Sequence, residues 1–466
     1  MKDYFECNLP LRMTHFDPAG NMDELYSKAR EAIAARTKKL NEALDYSGMK
    51  GEDFQPLAAE LFRNHPSRFE AMTAMELASY VSSIYDGASA EPRMDWPNAV
   101  VLFDTAFTTN DEWVSIRHIG LGGSNTEVLG YSNFKIPRET FYEKRGVPLP
   151  SPKKASQIPL VRGHFCEDFV INNFCSLTGA VRIPETRMFA SKKYPHCIAD
   201  MDAIVRTVTG DLLIFEAKTT VCTNESEWIG YKTEKVPGHY VSQCHHYAGV
   251  LDDSRIKGTV ISCMFVQDYS ADEAFFGVAE RGTNATRFID RDEAAEDNIL
   301  ASKEDFWETY IATGTVPPDS GNAKMELSLL NQLKLRSSMV PPVEFTDADT
   351  LAMFEDYISV NEEYEKLKRE ADGQDAVREQ IKRSLIARLG TATCGYATVS
   401  DGNVRVIKYA PTKDSEVVNL EMLKAAFPQA YETCVSTAPG ASRFTFSKPK
   451  SQNTWAKDLL KYGVSQ

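Results

Sequence analysis

The sequence predicts an α+β protein in which a strand-rich middle lies between a helical N-terminal region and a small α+β C-terminal region. Two observations support this class. Residues 1 to about 95 carry apolar side chains at spacings of three and four, which is typical of amphipathic helices. From Ala99 onward, short apolar strands alternate with helical segments, and a further mixture of strands and one helix follows residue 390.

Length and composition are those of an ordinary globular protein. The chain has 466 residues, of which 42% are hydrophobic and 25% are charged, so a sizeable core and two to four domains are expected. No apolar run could span a bilayer, and the first residues lack the apolar segment of a secretory signal. Nine cysteines without a CxxC pair predict reduced thiols and a cytoplasmic location.

Charge is distributed unevenly along the chain. The formal net charge of −14 argues against a protein that coats nucleic acid by bulk charge. Residues 135–195 differ, because they hold eleven Lys and Arg against five Asp and Glu, a net charge of +6. Such a window is commonly a solvated face. Because the window lies just before Asp202–Lys218, the stretch in which a site is predicted below, it is also a candidate surface for DNA.

Changes of pattern along the sequence divide the chain into four parts. These are a mostly helical N-terminal region (1–98), a core (99–315), a connection rich in proline and glycine turns (316–347) and a helical plus α+β C-terminal region (348–466). Within the last part we expect a long helix or a helical hairpin, with a break at Asp372-Gly373.

The stretch Asp202–Lys218 reads DAIVRTVTGDLLIFEAK, two apolar segments around a Thr-Gly-Asp turn, which predicts a β-hairpin. Side chains alternate faces along a strand, so Glu216 and Lys218 point the same way, with Cα atoms about 7 Å apart. Asp202 begins the partner strand, so two carboxylates and an amine should converge at one end of a small sheet. The alternative is an ordinary hairpin whose charged ends face solvent.

Carboxylates in this arrangement suit metal chemistry. Their oxygens favour a hard cation such as Mg²⁺. A lysine beside such a cation can orient a water molecule or stabilise a developing negative charge. Glu167 lies four residues after Gly163 on a helix predicted over 160–177, among apolar residues. It is either a half-buried member of the site or a surface glutamate beside Asp168.

A helix is predicted after Pro237, and it brings further polar groups. Gln243 and Tyr247 are four residues apart and therefore share a helix face. Three histidines of this segment lack the spacing of metal ligands, and we interpret them as packing or DNA-facing residues: His239, His245 and His246.

A glycine cluster precedes Ser124, at Gly120, Gly122 and Gly123. A glycine-rich turn that leads into a helix exposes backbone N–H groups to which a phosphate can bind, and Arg117 and Ser124 would add side-chain donors. The same pattern is common in tight packing turns.

Taken in order, these elements resemble the YqaJ-type viral recombinases, the lambda-exonuclease branch of the PD-(D/E)XK nuclease superfamily. The resemblance rests on Arg117-x6-Ser124, Gly163-x3-Glu167, Asp202, Glu216-x-Lys218 and Gln243, and on the segments GLGGSNTEVLGYSNFKIPRETFYEKRG, DMDAIV, GDLLIFEAKTT and VPGHYVSQCHHY. It covers about residues 110–280, with a weaker similarity over 350–450. It implies a restriction-endonuclease-like core, that is, a central mixed β-sheet flanked by helices.

The resemblance also implies a metal site. Asp202 and Glu216 would be ligands of Mg²⁺ or Mn²⁺, one or two ions per site, with the backbone carbonyl of Ala217 as a further ligand. Glu167 would hold the metal directly or through water. Asp200 lies two residues before Asp202 on the same strand face, so it would compete for or extend this site. Asp202 is preferred because the apolar strand follows it.

Roles toward the substrate follow from the same resemblance. Lys218 would orient or activate the attacking water, and Gln243 would position the scissile phosphate or the lysine. Arg117 and Ser124 would grip the 5′-phosphate of a duplex end. Tyr247 is placed with these DNA-binding residues.

The activity that the resemblance implies is that of a metal-dependent 5′→3′ double-strand DNA exonuclease, which releases 5′-mononucleotides and leaves 3′ overhangs for phage-type homologous recombination. Its partners would be duplex ends and a single-strand annealing protein, with no membrane involved. Two further copies of the chain would complete a trimeric ring around the DNA, and the basic window 135–195 would line the central channel of that ring. The alternatives are an endonuclease on the same core, a RecB-like CRISPR-associated nuclease, against which the missing CxxC counts, and a non-catalytic DNA-end-binding module.

Overall fold

A mixed five-stranded β-sheet lies in the first of the chain's two units, Met1–Leu335; the second is Arg336–Gln466. The structure is a computed structural model. It describes residues 3–11, 22–87, 91–131, 135–147, 149, 154–221, 228–230, 233–266, 284–333, 344–398, 400, 404–409 and 420–429. The strands predicted over 274–278 and 443–446, and the turn predicted over 267–273, lie outside these residues.

The first unit alternates helices and strands. In chain order they are α1 (Met22–Ser47), α2 (Gly51–Asn64), α3 (Pro66–Ala71), α4 (Ala74–Ile84), β1 (Ala99–Asp104), α5 (Asn110–Ile116), α6 (Pro137–Lys144), α7 (Lys154–Thr178), β2 (Val181–Ile183), β3 (Arg187–Ser191), β4 (Ile198–Ala199), β5 (Ala203–Arg206), β6 (Leu212–Val221), β7 (Ile229–Gly230), β8 (Thr233–Glu234), α8 (Gly238–Leu251), β9 (Ile256–Val266), β10 (Asn284–Asp290), α9 (Glu293–Phe306) and α10 (Ala323–Gln332).

Strand order in the central sheet is β10-β9-β6-β5-β2. The neighbours β6 and β9 run parallel, and the other three pairs run antiparallel, so the sheet is mixed. A second sheet has the order β1-β3-β4. The predicted α+β class with a central mixed sheet flanked by helices is confirmed.

Alternation along the hairpin β5–β6 explains how both faces of the sheet are covered. Ile214 packs in one hydrophobic cluster with Ala248 of α8, whereas its neighbour Phe215 packs in another with Val170 of α7. Successive side chains on a strand point to opposite faces. Glu216 therefore shares the face of Ile214, toward α8, and β6 carries it to the edge of the core.

The N-terminal helices share hydrophobic cores with the rest of this unit. Residues of α2, α3 and α4 pack with Phe107, which follows β1, and Tyr26 of α1 packs with Phe103 of β1. Helix α4 begins with a capping box between Thr73 and Glu76. Residues 1–98 are thus mostly helical, as the periodicity predicts, and their apolar faces are buried against the strand-containing part.

The elements differ from the sequence interpretation at two places in this unit. Helix α7 begins at Lys154, although proline and serine content favours a loop up to Pro159. The predicted connection 316–347 contains α10. Turn-forming residues are a local signal, and tertiary packing overrides such signals.

The second unit contains α11 (Ala348–Leu389), β11 (Cys394–Thr398), β12 (Val404–Lys408) and α12 (Leu420–Ala426). Helix α11 runs for 42 residues through Asp372-Gly373, where a break was expected. One glycine costs a helix only about 1 kcal/mol, and the flanking Ala, Glu, Lys and Arg residues are strong helix formers. Strands β11 and β12 pair antiparallel. No helix within the described ranges is long and apolar enough to cross a bilayer.

Candidate active site

A single cleft of about 1170 Å³ brings together the residues that the sequence analysis selected. All nine line it: Arg117, Ser124, Glu167, Asp202, Glu216, Ala217, Lys218, Gln243 and Tyr247. The N-terminal part of the chain supplies another wall, with Arg63 of α2 and Thr108 among its residues. The cleft therefore extends beyond the segment in which the sequence analysis found chemistry.

Glu216 is the hub of the cleft, and its side chain is 1% exposed. Its Oε1 accepts hydrogen bonds from Lys218 Nζ and from Gln243 Nε2, the latter at 2.7 Å. Gln243 Nε2 also lies 2.9 Å from the hydroxyl of Tyr247. The predicted shared face of Glu216 and Lys218, and that of Gln243 and Tyr247, are both found. Oε2 of Glu216 is buried and has no hydrogen-bond partner among the described residues.

Asp202 fixes the other end of the hairpin. Its Oδ2 accepts a hydrogen bond from the backbone N–H of Ala217 at 2.8 Å. The contact joins the residue before β5 to the middle of β6, next to Glu216. The structure thus brings the two carboxylates and Lys218 to one end of the hairpin.

Glu167 of α7 approaches the cleft from the other side of the sheet. Its side chain is 34% exposed, and its Oε2 lies 4.0 Å from Nδ1 of His164. Asp168, the next residue, instead points to an ion pair with Arg182 at 2.6 Å. Of the two interpretations of Glu167, the half-buried one is therefore what the structure shows.

Electrostatics in the cleft reflect an excess of carboxylates. Burial, reinforced by repulsion from Asp202, raises the pKa of Glu216 and of Glu167 to about 8. Burial also raises the pKa of Asp202, against the opposing charge of Lys218. For Lys218, burial opposes the charge, but Glu216 and Asp202 hold its pKa above the ordinary value. One ammonium group thus faces three carboxyl groups.

Asp200 is held by a neighbour of its own. Its Oδ2 accepts a hydrogen bond from Trp113 Nε1 at 2.7 Å, and burial raises its pKa to about 6. The guanidinium of Arg117 stacks on the ring of Trp113, with its Cζ 4.4 Å from the ring centroid. Arg117 also donates a hydrogen bond to Ser124 Oγ at 3.2 Å. The pairing of Arg117 with Ser124 across the glycine-rich loop is therefore present.

The glycine-rich loop, residues 117–125, packs directly on the helix that carries Gln243. A Cβ atom on Gly123 would lie 2.8 Å from Tyr247 Cε1 and 2.9 Å from Gln243 Cγ, so only glycine fits there. The loop leads into the three-residue 3₁₀ turn Glu127–Leu129. The sequence analysis expected a helix at this point, and the structure has none, so no helix N-terminus directly follows the loop to attract an anion.

Most Lys and Arg side chains of the basic window 135–195 bind carboxylates or backbone carbonyl groups of the chain itself. Five of its cations form ion pairs: Lys135–Glu143, Arg138–Glu326, Arg182–Asp168, Arg187–Glu185 and Lys193–Asp297. Three more donate to backbone carbonyl groups: Lys144, Arg145 and Lys192. Lys153 and the side chain of Lys154 lie outside the described residues. The positive charge of this window is therefore an incomplete guide to a surface for DNA.

Sequence reasoning missed Lys303, which contacts the loop from α9. It is fully buried, and its ammonium donates to the carbonyl of Gly122 at 2.8 Å. His246, interpreted as a packing or DNA-facing residue, is buried and packs beside this lysine. No local signal marks Lys303, because it lies in an ordinary polar helical segment.

A second group of side chains that could bind a metal ion lies outside the lining of the cleft. It consists of His196, Glu304 and Glu308, whose ligand atoms lie within 4.8 Å of one another. His196 Nδ1 is 2.8 Å from Glu304 and 3.5 Å from Glu308, and its ring stacks on Trp307. A histidine paired with two carboxylates accounts for these contacts.

Comparison with known proteins agrees with this geometry. Residues 112–254 match the family of the YqaJ-like viral recombinase domain. The uncharacterized protein YqaJ of Bacillus subtilis (strain 168) is 24% identical over 338 residues, which is 72% of this chain and 93% of that protein.

Solved structures give weaker likenesses. The alkaline exonuclease LHK-Exo from Laribacter hongkongensis, and the same exonuclease in complex with dAMP, are 16% identical. Each covers 47% of this chain and 100% of its own, with TM-scores of 0.33 and 0.34. The matched segment contains every site residue discussed from Arg117 to Tyr247. Over residues 112–254, this chain is therefore similar to the YqaJ-like viral recombinase domain family.

Proposed function

We propose that this chain is a divalent-metal-dependent nuclease that degrades double-stranded DNA from its 5′ ends, releases 5′-mononucleotides and leaves 3′ overhangs for recombination. One observation carries the proposal. A buried carboxylate, Glu216, with Lys218 and Gln243 bound to it, shares a cleft with the Arg117–Ser124 pair. The first group suits cleavage of a phosphodiester, and the second suits binding of a terminal phosphate.

The carboxylates fit a divalent cation. Oε2 of Glu216 is buried and lacks a partner, which is rare for an acceptor in a protein interior. A cation would offset the repulsion that raises the pKa of Glu216 and Glu167. Asp202, Glu216 and the carbonyl of Ala217 would hold one or two Mg²⁺ or Mn²⁺ ions, with Glu167 binding directly or through water. Bound there, the metal would supply Lewis acidity to the phosphodiester.

Lys218 acts on the attacking water and on the phosphate. Its pKa is held above the ordinary value, so it is an ammonium that donates hydrogen bonds. It orients the water and offsets the negative charge that develops on phosphorus. Gln243 keeps Glu216 in place beside it. Water attacks phosphorus and releases a proton to solvent, the bond from phosphorus to the 3′ oxygen breaks, and that oxygen takes a proton from solvent.

Arg117 and Ser124 give the reaction its direction. They hold the 5′-phosphate of the terminal nucleotide, and stacking on Trp113 keeps the guanidinium in place. Each cleavage leaves a new 5′-phosphate on the shortened strand. The same grip therefore serves every cycle, and cutting proceeds from 5′ to 3′.

Partners complete the proposed function, and their support is the family resemblance. They are a duplex DNA end, a single-strand annealing protein that takes the 3′ strand, and two further copies of this chain in a ring around the duplex. An acidic outer surface is compatible with such a ring, because only the channel needs positive charge. Arg63 and Arg117 are cations that line the cleft itself.

We expect Glu216→Gln to stabilise the metal-free protein at pH 8 by roughly 1–3 kcal/mol, because the neutral amide removes the cost of holding a buried, incompletely hydrogen-bonded carboxylate. The raised pKa of Glu216 means that the folded state holds this proton more tightly than the unfolded chain. Wild-type stability should therefore fall as pH rises from about 4.5 toward 8, and the variant should lose that part of the decline.

Chemical denaturation in EDTA at pH 5 and pH 8 measures this effect. Glu185→Gln is the matched control, because Glu185 is equally buried but both of its oxygens accept hydrogen bonds, from Arg187 and Trp96, so its loss should destabilise the fold. A Glu216→Gln protein less stable than wild type at pH 8 would contradict the expectation.

Lys218→Ala should lower nucleotide release from a linear duplex at least 100-fold and leave DNA affinity within a few-fold, because the lysine acts on the transition state. Lys28→Ala, which removes an exposed ion pair with Glu24 outside the window 135–195, is the control and should cleave normally. The assay compares linear duplexes with covalently closed circles in Mg²⁺. Cutting of circles would favour an endonuclease. Tight end binding without any cutting would favour a binding module.

Arg117→Gln should lower kcat/KM on 5′-phosphorylated duplexes by about 10- to 100-fold, the worth of a hydrogen bond to a charged group. Duplexes with a 5′-hydroxyl end should be affected much less, since the arginine has no phosphate to bind there. Arg68→Gln, on a surface outside the cleft, controls for loss of positive charge. Equal loss on both kinds of end would argue against the assigned grip.

A further inference from the structure

Two buried lysines hold the glycine-rich loop from beneath. Lys303 of α9 is 0% exposed, and its ammonium donates to the carbonyl of Gly122 at 2.8 Å and to that of Gly123 at 3.4 Å. Lys144, the last residue of α6, is 3% exposed and donates to the carbonyl of Arg117 at 2.6 Å. Three carbonyl groups of one short loop therefore point at buried cations.

Neither ammonium has a carboxylate partner among the ion pairs of the described residues. Burying a charge without an ion pair costs free energy of folding. Ionisable groups in such environments are concentrated at functional sites. Lys303 donates to two loop carbonyl groups and Lys144 to one, while the carboxylates of Glu143 and Glu127 act on these charges from farther away. The lysines and the loop conformation thus depend on each other.

A third contact extends the arrangement to the helix of the catalytic glutamine. Lys303 Nζ lies 3.3 Å from Nδ1 of His246, and Nε2 of His246 lies 2.8 Å from the carbonyl of Ile198. An ammonium can only donate, so Nδ1 accepts and Nε2 carries the hydrogen. Burial lowers the pKa of His246, which keeps the ring neutral. Lys303 therefore ties the loop to α8 and β4 together.

The opposite face of the loop carries the groups that face the cleft. Ser124 is exposed and receives the hydrogen bond from Arg117, while Gly123 rests on Gln243 and Tyr247. With the carbonyl oxygens drawn toward the lysines, the negative ends of these peptide dipoles are turned away from an anion in the cleft. Burial lowers the pKa of Lys303 to about 8 and that of Lys144 to about 7, so at pH 6 both are ammonium groups that add to the positive potential above the loop.

We propose that Lys303 and Lys144 are positioning residues for the terminal phosphate, which they never touch. They fix the loop that presents Arg117 and Ser124, and they place positive charge beneath it. The proposal rests on the proposed function, since it concerns the same end grip. Selectivity for a phosphorylated end would then depend on Lys303, a residue outside the matched family segment 112–254.

Methionine is the test substitution, because it keeps the length of the lysine stem and removes the charge. The probes are two fluorescent duplexes that differ only in a 5′-phosphate or a 5′-hydroxyl, bound without divalent metal and followed by anisotropy. Lys303→Met should reduce the ratio of the two affinities about tenfold, and Lys144→Met should change it in the same direction. Lys28→Met, at an exposed lysine of α1 outside the window 135–195, should keep the wild-type ratio.

Several results would overturn the proposal. One is a folded Lys303→Met protein, verified by thermal unfolding, that keeps the wild-type ratio. Another is equal weakening on both duplexes, which would show a general structural role. If Lys303→Met does not fold, Lys144→Met decides by the same criteria. A wild-type protein that binds both ends equally would also refute it. Nucleotide release in Mg²⁺ is measured separately, so loss of the proposed nuclease activity with the ratio intact would leave this inference standing.

Discussion

The rest of the site depends on one buried carboxylate, Glu216. Lys218 and Gln243 both bind its Oε1, while its Oε2 remains without a partner in the described part of the chain. Such a group destabilises the fold at neutral pH, because ionising it in the interior lacks full compensation. The chain retains it at the point where β6 leaves the core. A buried group that lowers the stability of the fold is expected where the function of the protein requires that group.

Strand geometry decides which side Glu216 faces. Phe215 is buried against α7, so the next residue, Glu216, faces α8. Gln243 lies on α8, one helical turn before Tyr247. Tyr247 and Gln243 in turn support Gly123 of the loop. The carboxylate cluster and the Arg117–Ser124 pair are therefore joined through α8, and displacement of the helix would disturb both.

Local periodicity accounts for the part of the site that the sequence predicts. The two-residue strand repeat places Glu216 and Lys218 on one face, and the helix repeat pairs Gln243 with Tyr247. The association of Arg117 with Ser124 is predicted by the glycine-rich turn together with the family resemblance. Lys303 could not be predicted, because nothing in its local sequence distinguishes a buried lysine from an exposed one.

Long-range partners explain the remaining differences. The basic window looked available for DNA, yet Arg138 pairs with Glu326 and Lys193 with Asp297, each more than 100 residues away. Charge counts in a window contain no information about such partners. Helix α11 passes through Gly373 for a different, local reason: the free-energy cost of one glycine is small compared with the helix propensity of the long segment around it.

Binding of Mn²⁺ followed by isothermal titration calorimetry tests the central claim most directly, because it locates the metal without requiring cleavage. The proteins to compare are the wild type, Glu216→Gln and Glu304→Gln, the last altering the His196 group, which does not line the cleft. The account predicts that Glu216→Gln abolishes or greatly weakens Mn²⁺ binding, whereas Glu304→Gln binds like the wild type. Binding that survives Glu216→Gln and is lost in Glu304→Gln would contradict it.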